Sequence, residues 1–582
     1  MNNETTNNDQ TMQTMQQKDN FSRPGLGGLL VVVWLLTSCT PATVRPTVSP
    51  GNTPAPPATL PPARTPTPVA TAAPSEPDQL RRVPAPDGRW TAVVNETAGS
   101  LDLQSAEGGT HTVFPEGSTV GTVNWSPDSR HLLVMRTHRR WSPPSPAIQV
   151  DGPIEIWQIR LEDDQLGPPR LVFQSPTQPD ESGAFTPEQI AWGSWSPNNR
   201  FVLFWHSILS ASAMASGMTM WALDTQAGEA ILLAGGALLN PRYQSWVPDG
   251  SALVFTAGGG RSAQANKWLN LFDAVSGRVT TVVSKTEQVP GIVAWSPRGD
   301  LIAYAAVPAA ETGPGMADWM VFENPAIAGR RVYLLDPATG QHWRLNDTET
   351  FQDAPTWSDD GAILYYVQRE GDTMALVASD PATGQAQVIE GSRRPAPRAV
   401  GYYGQSKWDG LLAHRPEVPS ATVPPLTETY TDPTYDYKLC YPAGWHVDQG
   451  WQSIIGWQEM LTLTSYPPDT PPPDLGAFSG QALIAVQVVE APAGNLETLL
   501  NDTLASPGPG QVPIPDEARV LTVFDQRERT VDGRPAVRLE TMGDFGTVNH
   551  VLVVLDGTRG YVLRGQGDGR VFDAVAEGLR LP

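Results

Sequence analysis

The sequence predicts a mainly β protein in which a β-propeller of six blades precedes a smaller C-terminal α+β domain. Three observations support this. A strand ending in Trp, followed by a tight turn, recurs along the chain; a second hairpin signature follows most copies; and the pattern changes after a Pro-rich break near residue 427. A chain of 582 residues also exceeds one ordinary hydrophobic core, so several domains are expected.

The first element is a short apolar run at residues 26–36, LGGLLVVVWLL. Its length suits the core of a signal peptide and is too short for a membrane-spanning helix. Leu36-Thr37-Ser38-Cys39 follows and resembles the lipobox of bacterial lipoproteins, which implies cleavage before Cys39 and lipidation of that residue. Residues 1–38 are therefore predicted to be a signal peptide, and the mature chain is expected to be extracytoplasmic and anchored to a bacterial membrane through Cys39.

Residues 39–79 are rich in Pro, Thr and Ala and contain few large apolar side chains. Such a segment cannot bury a core and favours an extended, solvated conformation. We interpret it as a stalk between the membrane and the folded part.

A repeat dominates residues 80–398, the predicted propeller. A short apolar strand ends in Trp, a turn close to Ser-Pro-Asp-Gly follows, and an alternating apolar strand comes next. Pro presets φ in such a turn, Asp caps it with its side chain, and Gly accepts positive φ. The repeated tryptophans are Trp125, Trp195, Trp246, Trp295 and Trp357. A weaker copy, PAPDGRWTAVV, starts at Pro84 and lacks the Trp before its turn.

A second signature, a strand followed by a five-residue turn and another strand, occurs later in four units. Its turns begin and end at the pairs Asp224 and Gly228, Asp273 and Gly277, Asp336 and Gly340, and Asp380 and Gly384. Each unit therefore holds four antiparallel strands, which is one propeller blade. The W-S-P-D-G turn with the D-x-x-T-G hairpin resembles the TolB-type, WD40-like propeller family.

Two segments need a separate interpretation. Residues 201–223 carry no acidic or basic side chain, but the turns on both sides predict two strands joined by a Ser/Ala/Gly loop. Residues 399–426 are assigned to a ring-closing segment and a Pro-rich linker. Within them, residues 399–414 are expected to be ring-closing strands or half of a seventh blade, and six blades are preferred.

The connections predict which face of the propeller binds. The a–b turns are short, whereas long loops fall at residues 137–153, 174–189 and 307–329, all on the opposite face. Long loops on a rigid scaffold often carry function, although they can also be tolerated insertions. The candidate binding residues in these loops are Arg139, Arg140, Trp141, Phe185, Trp319 and Phe322.

Residues 427–582 are predicted to form the α+β domain. Strands are expected at MLTLTSY, ALIAVQVVEA, RPAVRLETM, VNHVLVVL and GYVLRG, and helices at NLETLLNDTLA, capped by Asn495, and at FDAVAEGL. The phrase Tyr437-x-Leu439-x-Tyr441-Pro442-x-Gly444-Trp445 and the strand start Gly533-Arg534-Pro535-Ala536 resemble PsbP-like (Mog1-like) domains. That resemblance implies an accessory or binding role.

The search for chemistry favours a protein without catalytic activity, cofactor or metal. The chain has no G-x-S-x-G elbow, and its His residues show no helical i, i+4 pair. The acids Asp87, Asp128, Asp249 and Asp360 lie in turns and are explained as turn caps. Cys440 is the only cysteine after Cys39, and a buried, inert thiol is expected.

The net charge limits the classes of partner that the sequence predicts. A net charge of −22 argues against nucleic acid and against electrostatic adsorption on anionic lipid. The sequence therefore predicts a surface lipoprotein that binds or scaffolds a protein or another envelope component. A solute or cell-wall glycan receptor is the alternative, and an unrecognised propeller-type hydrolase is the second alternative.

Overall fold

The computed structural model describes most of residues 80–582, and residues 76–582 form one compact unit. The ranges left undescribed are 1–79, 96, 142–147, 151, 163–164, 180–184, 211–215, 261, 263–264, 310–324, 398–407, 418–421, 450–460, 467–479, 493, 506–521 and 543–547. Cys39, Trp319 and Phe322 therefore lie outside the described residues, as do the side chains of Arg139, Arg140 and Trp141.

Six antiparallel sheets follow one another along the described part of residues 80–397, which confirms the predicted mainly β propeller fold. The strands of blade one are β1 (Leu80–Pro84), β2 (Trp90–Asn95), β3 (Ser100–Ser105) and β4 (Thr110–Phe114). Those of blade two are β5 (Val120–Trp125), β6 (His131–Arg136), the hairpin β7 (Arg139–Trp141) and β8 (Ile148–Val150), β9 (Glu155–Glu162), and then β10 (Gln165–Leu166) and β11 (Arg170–Gln174), which both pair with β9.

The next three blades hold four strands each. Blade three consists of β12 (Glu188–Trp195), β13 (Phe201–Ile208), β14 (Met218–Asp224) and β15 (Glu229–Ala237). Blade four consists of β16 (Gln244–Trp246), β17 (Ala252–Gly258), β18 (Lys267–Asp273) and β19 (Arg278–Val283), preceded by a 3-10 turn at Pro241–Tyr243. Blade five consists of β20 (Gln288–Trp295), β21 (Ile302–Pro308), the short helix α1 (Pro325–Ala328), β22 (Arg331–Leu335) and β23 (His342–Arg344).

Blade six closes the series, and a helix follows it. Its strands are β24 (Gln352–Trp357), β25 (Leu364–Glu370), β26 (Thr373–Ser379), β27 (Ala386–Val388) and β28 (Arg394–Pro395). The helix α2 (Asp409–Leu412) lies where further strands were predicted, so that prediction is wrong for these residues. Trp408, Leu411 and Leu412 have the i, i+3, i+4 spacing of a helix, and all three are buried.

The repeat tryptophans join neighbouring blades. Each predicted Trp is the last residue of the first strand of its blade, as the repeat indicated. The indole N–H of Trp125 donates to the Val83 carbonyl of blade one at 3.0 Å, and that of Trp357 donates to the Ala294 carbonyl of blade five at 3.1 Å. Val83 and Ala294 occupy the same repeat position, so one local motif supplies the same contact between two different pairs of blades.

The turn after each Trp behaves as its residues predict. Asp128 accepts from the Ser126 hydroxyl at 2.6 Å and from the Arg130 amide at 3.1 Å, and Asp360 bonds equivalently to Ser358 and Ala362. Gly361 has a φ of +66°, and Ser129 takes the same left-handed position in its copy at +61°. The turn acids are therefore explained by their turns.

The C-terminal domain is built on one antiparallel sheet. Its strands are β29 (Leu426–Thr431) and β30 (Lys438–Pro442), which form a separate pair, and then β31 (His446–Gln449), β32 (Leu461–Thr464), β33 (Ala482–Glu490), β34 (Thr522–Val531), β35 (Arg534–Met542), β36 (Val548–Asp556) and β37 (Arg559–Gly567). The sheet order of the last seven is β31-β32-β33-β37-β36-β35-β34.

Two helices cover opposite faces of this sheet, α3 (Leu496–Ala505) and α4 (Gly569–Glu577). Along β36, Val551 and Val553 share a buried cluster with α3, whereas Leu552 and Val554 share one with α4. The Asn495 carboxamide accepts from the Glu497 amide at 2.8 Å and caps α3 as predicted. Cys440 is half-buried rather than buried, because Tyr437 and Leu439 take the inward positions of the local strand.

Candidate functional site

The predicted binding face is the end of the propeller that carries the b–c and d–a connections, which we call the long-loop face. Its described parts include the paired strands β7 and β8, residues 175–179 and 185–187 of the connection to blade three, and the tip Ile208–Leu209. The sequence predicted an open loop at 137–153; the structure forms a hairpin there, with Arg139 paired to Val150 and Trp141 paired to Ile148.

Backbone hydrogen bonds join these parts into one platform. The Phe185 amide donates to the Val150 carbonyl at 3.2 Å, and the Leu209 amide donates to the Pro187 carbonyl at 2.7 Å. Residues 185–187 therefore lie between β8 of blade two and the b–c end of blade three. The structure brings predicted Phe185 beside the strand that pairs with Arg139.

A buried carboxylate, Glu188, organises the base of this platform. It accepts from the Ser175 hydroxyl at 2.5 Å, from the Ile154 amide at 3.3 Å and from the Thr177 hydroxyl, and the Nε2 atom of His206 lies 2.7 Å away. Burial alone would raise the pKa of Glu188, but the hydrogen bonds from His206, Ser175 and Thr177 lower it to about 2. Glu188 is thus ionised at neutral pH and ties both ends of the connection to blade three.

This cluster contains a Ser, a His and a carboxylate, but its arrangement differs from a nucleophilic triad. The Ser175 hydroxyl donates to Glu188 and not to His206, and both Glu188 and His206 are buried. A triad needs the hydroxyl on the imidazole and an exposed oxygen. The cluster therefore positions the loop. Sequence analysis missed it because its members are separated by up to about 30 residues and belong to different elements.

Apolar side chains are exposed at the edge of the platform. Ile208 is 55% exposed and Leu209 is 46% exposed, and Phe185 of the same platform is half-buried. The strand β13 ends at Ile208, so these side chains project beyond the blade core. Exposed aliphatic side chains offer the kind of contact area that protein partners use.

A second ordered loop lies in blade four. The Lys267 ammonium is buried and donates to the backbone carbonyls of Gly260 at 3.3 Å and Ala265 at 3.4 Å, and also to Ser262. Burial, followed by the charge of Arg330, lowers the pKa of Lys267 to about 7. This lysine holds the carbonyls of Gly260, Ser262 and Ala265 together, and nothing in its local sequence signals that role.

The described residues contain neither a membrane-spanning helix nor a metal cluster. None of their helices is long and apolar enough to cross a bilayer. In the same part of the chain, no three His, Cys, Asp or Glu side chains come together as a metal site would require.

Comparisons with known proteins find likeness only among solved structures. No family model matches the chain, and no curated protein matches it. TolB from Acinetobacter baumannii is 12% identical, with a TM-score of 0.25, and the match covers 66% of this chain and 75% of that one. A putative TolB from Agrobacterium tumefaciens is 16% identical over 50% of this chain and 90% of that one, with a TM-score of 0.22.

Enzymes appear among these structures as well. A putative dipeptidyl aminopeptidase IV from Bacteroides ovatus is 10% identical, with a TM-score of 0.30, and the match covers 68% of this chain and 52% of that one. At these identities the comparisons concern the fold.

Proposed function

We propose that this chain is an extracytoplasmic lipoprotein, held at a bacterial membrane through lipidated Cys39, that binds a protein or another envelope component without catalysing a reaction. Binding is assigned to the long-loop face. The observation that carries the proposal is the platform itself, in which the ionised Glu188 holds Ser175 and Thr177 at the start of the connection, and residues 185–187 join β8 to the exposed Ile208–Leu209 tip.

Charge supports the choice of surface. Arg139 and Arg140 are adjacent on β7 in a chain of net charge −22, and Trp141 follows them. Arg and Trp are enriched among binding hot spots because they combine a large contact area with polar reach. Two adjacent arginines would also favour a partner with an acidic patch.

The binding proposal predicts a selective loss. Replacing Arg139, Arg140 and Trp141 together by Ala should weaken partner capture at least tenfold, while the melting temperature changes by only a few degrees, because β7 and β8 form a separate pair outside the sheet of blade two. Capture is measured by cross-linking the purified chain to membranes and quantifying the cross-linked species by mass spectrometry. A matched control removes Arg130, Arg278 and Val275, which are exposed on the turns of the opposite face.

Equal capture by the hairpin variant and the control variant would move the binding site away from the long-loop face. Specific retention on a glycan array would instead favour the receptor alternative. Labelling by activity-based hydrolase probes would overturn the assignment as a non-enzyme.

The anchor is tested separately. Cys39→Ser should abolish incorporation of radiolabelled fatty acid and release the chain from the membrane fraction or leave it as a precursor, because the thiol is the only acceptor in the lipobox. Fractionation and fatty-acid labelling of cells measure this. Cys440→Ser is the control and should retain wild-type labelling, so equal labelling of both variants would contradict the lipoprotein assignment.

A further inference from the structure

The propeller and the C-terminal domain meet around Arg394. This residue lies on β28 of blade six, and its guanidinium carbon is 5.5 Å from the centroid of the Phe524 ring on β34. Its Nη2 atom is 3.3 Å from the Nε2 atom of His414. Its Nη1 atom donates to the Gly391 and Arg393 carbonyls, so the guanidinium is held in place from its own blade.

The helix α2 lies between the two domains and positions His414. It packs against β25 and β26 of blade six. On the C-terminal side the approach is close, because a Cβ atom at Gly410 would lie 3.3 Å from a methyl carbon of Val548 on β36. The His414 amide donates to the Leu411 carbonyl at 3.0 Å, so the imidazole follows directly from the end of this helix.

The C-terminal sheet presents charges to the same region. Glu540 lies on β35 beside Arg538 at 3.6 Å and beside the Nδ1 atom of His550 at 3.5 Å. Arg538 also bonds to Asp573 on α4 at 2.5 Å. The neighbouring His550, with the charges of Arg538 and Arg394, lowers the pKa of Glu540. The charges of the two arginines and the two carboxylates of this cluster balance.

The hydrogen bond to Arg394 requires a neutral His414. A guanidinium only donates, so Nε2 must carry its lone pair, and a doubly protonated imidazole has none. His550 lies within the C-terminal domain, where its Nδ1 atom is 3.0 Å from Nη2 of Arg538 and its Nε2 atom is 3.3 Å from the Gly567 carbonyl oxygen. Protonation of His414 adds a positive charge beside Arg394, and Glu540 is the carboxylate that opposes this effect.

We propose that His414 is a proton-operated latch: neutral, it holds Arg394 against Phe524 and keeps the C-terminal domain docked on blade six; protonated, it releases the domain. The docked state thus belongs to neutral and alkaline pH, and acidification undocks the domain without unfolding the blades.

The groups around the imidazole determine whether the docked state is favoured at high or at low pH. Burial and the charge of Arg394 lower the pKa of His414, and the opposing effect of Glu540 is smaller. A histidine with a depressed pKa contributes stability that is complete above its ordinary value of about 6.5 and is lost as pH falls below it. The docked state therefore weakens below about pH 6.5.

Hydrogen exchange of the full chain tests the latch. At about pH 5, after correction for the intrinsic exchange rate, amides of β34 and α2 should lose about tenfold in protection relative to about pH 7.5, whereas amides of β17 and β21 should keep theirs. His414→Gln retains an acceptor for Arg394 but does not titrate, so β34 should stay protected at both pH values. His446→Gln, on β31 at the opposite edge of the sheet, is the matched control and should behave as the wild type.

A wild-type protein whose β34 protection is the same at both pH values would overturn the proposal. So would a His414→Gln variant that loses protection on acidification as the wild type does. A second variant tests the proposal in case glutamine does not fit at position 414. Arg394→Met removes both the donor and the charge, so β34 should exchange fast at both pH values, and pH-dependent protection in that variant would also contradict the latch.

Discussion

Replacing Trp295 by Ala should lower the free energy of unfolding of the propeller by about 3–5 kcal/mol, the usual cost of emptying a large aromatic core site. Trp295 is 8% exposed and shares a buried cluster with Val254, Ile302 and Tyr304 of blades four and five. Urea denaturation of residues 76–582, followed through the propeller transition, measures the loss.

Blade five supplies its own control for this experiment. Trp343, on β23, is 42% exposed, so Trp343→Ala should cost less than about 1 kcal/mol. Similar losses for the two variants would show that burial of the repeat Trp does not stabilise the blades. Trp295→Phe and Trp357→Phe refine the comparison. Of these two tryptophans, Trp357 has a protein acceptor for its indole N–H and Trp295 does not, so Trp357→Phe should cost about 1 kcal/mol more than Trp295→Phe.

The repeat was readable from the sequence because its determinants are local. A turn such as Ser126-Pro127-Asp128-Ser129 carries its hydrogen bonds within five residues, so residue type alone indicates the conformation. The burial of Trp125 follows from the same register, since a Trp ends the first strand of blades two to six. Repetition then distinguishes the pattern from chance.

The two elements that the sequence analysis did not predict, β34 and α2, have weaker or competing local signals. The strand β34 is an edge strand, and the charged side chains of Asp525, Arg527 and Glu528 hide any apolar alternation. The helix α2 has one turn only, and Trp408, Leu411 and Leu412 lie in the segment 399–414 that was predicted to form ring-closing strands or half of a seventh blade. The conformation of such a short segment is determined by its packing against blade six and not by the intrinsic helix or strand propensity of its residues.

The candidate site was predictable as a face but not as a set of contacts. Loop length placed the hairpin and the connection 175–187 at one end of the propeller, and the structure joins them through Phe185 and Val150. Glu188 carried no signal, because a carboxylate at the start of a strand is usually solvated. Its burial depends on His206 and Ser175, which lie in neighbouring elements.

The most deeply buried ion pair of the propeller likewise joins distant positions. Arg330, before β22, and Asp353, on β24, are 4% and 0% exposed, and Nη1 of the arginine is 2.8 Å from Oδ2 of the aspartate. Asp353 also accepts from the Trp408 indole N–H at 3.0 Å and from the Ala354 amide at 2.8 Å. One carboxylate thus joins blade five, blade six and the segment that leads into α2.

Asp353→Ala should therefore cost about 3–5 kcal/mol, because it leaves the buried guanidinium without its carboxylate. The same substitution at Asp525, whose partner Arg527 is 57% exposed, should cost less than about 1 kcal/mol and serves as the matched control. Urea denaturation compares the two, and hydrogen exchange of α2 should accelerate only in Asp353→Ala. Equal losses would mean that the buried pair contributes no more than an exposed one.

A double variant separates the charge from the shape of the site. Bringing a guanidinium and a carboxylate out of water carries a large desolvation cost, which their mutual attraction only partly offsets. Arg330→Met with Asp353→Leu removes both charges and keeps most of the volume, so it should be more stable than Asp353→Ala, although the Trp408 indole then loses its acceptor. If the double variant is as unstable as Asp353→Ala, the loss arises from the hydrogen bonds of Trp408 and Ala354, and the orphaned charge of Arg330 is not its cause.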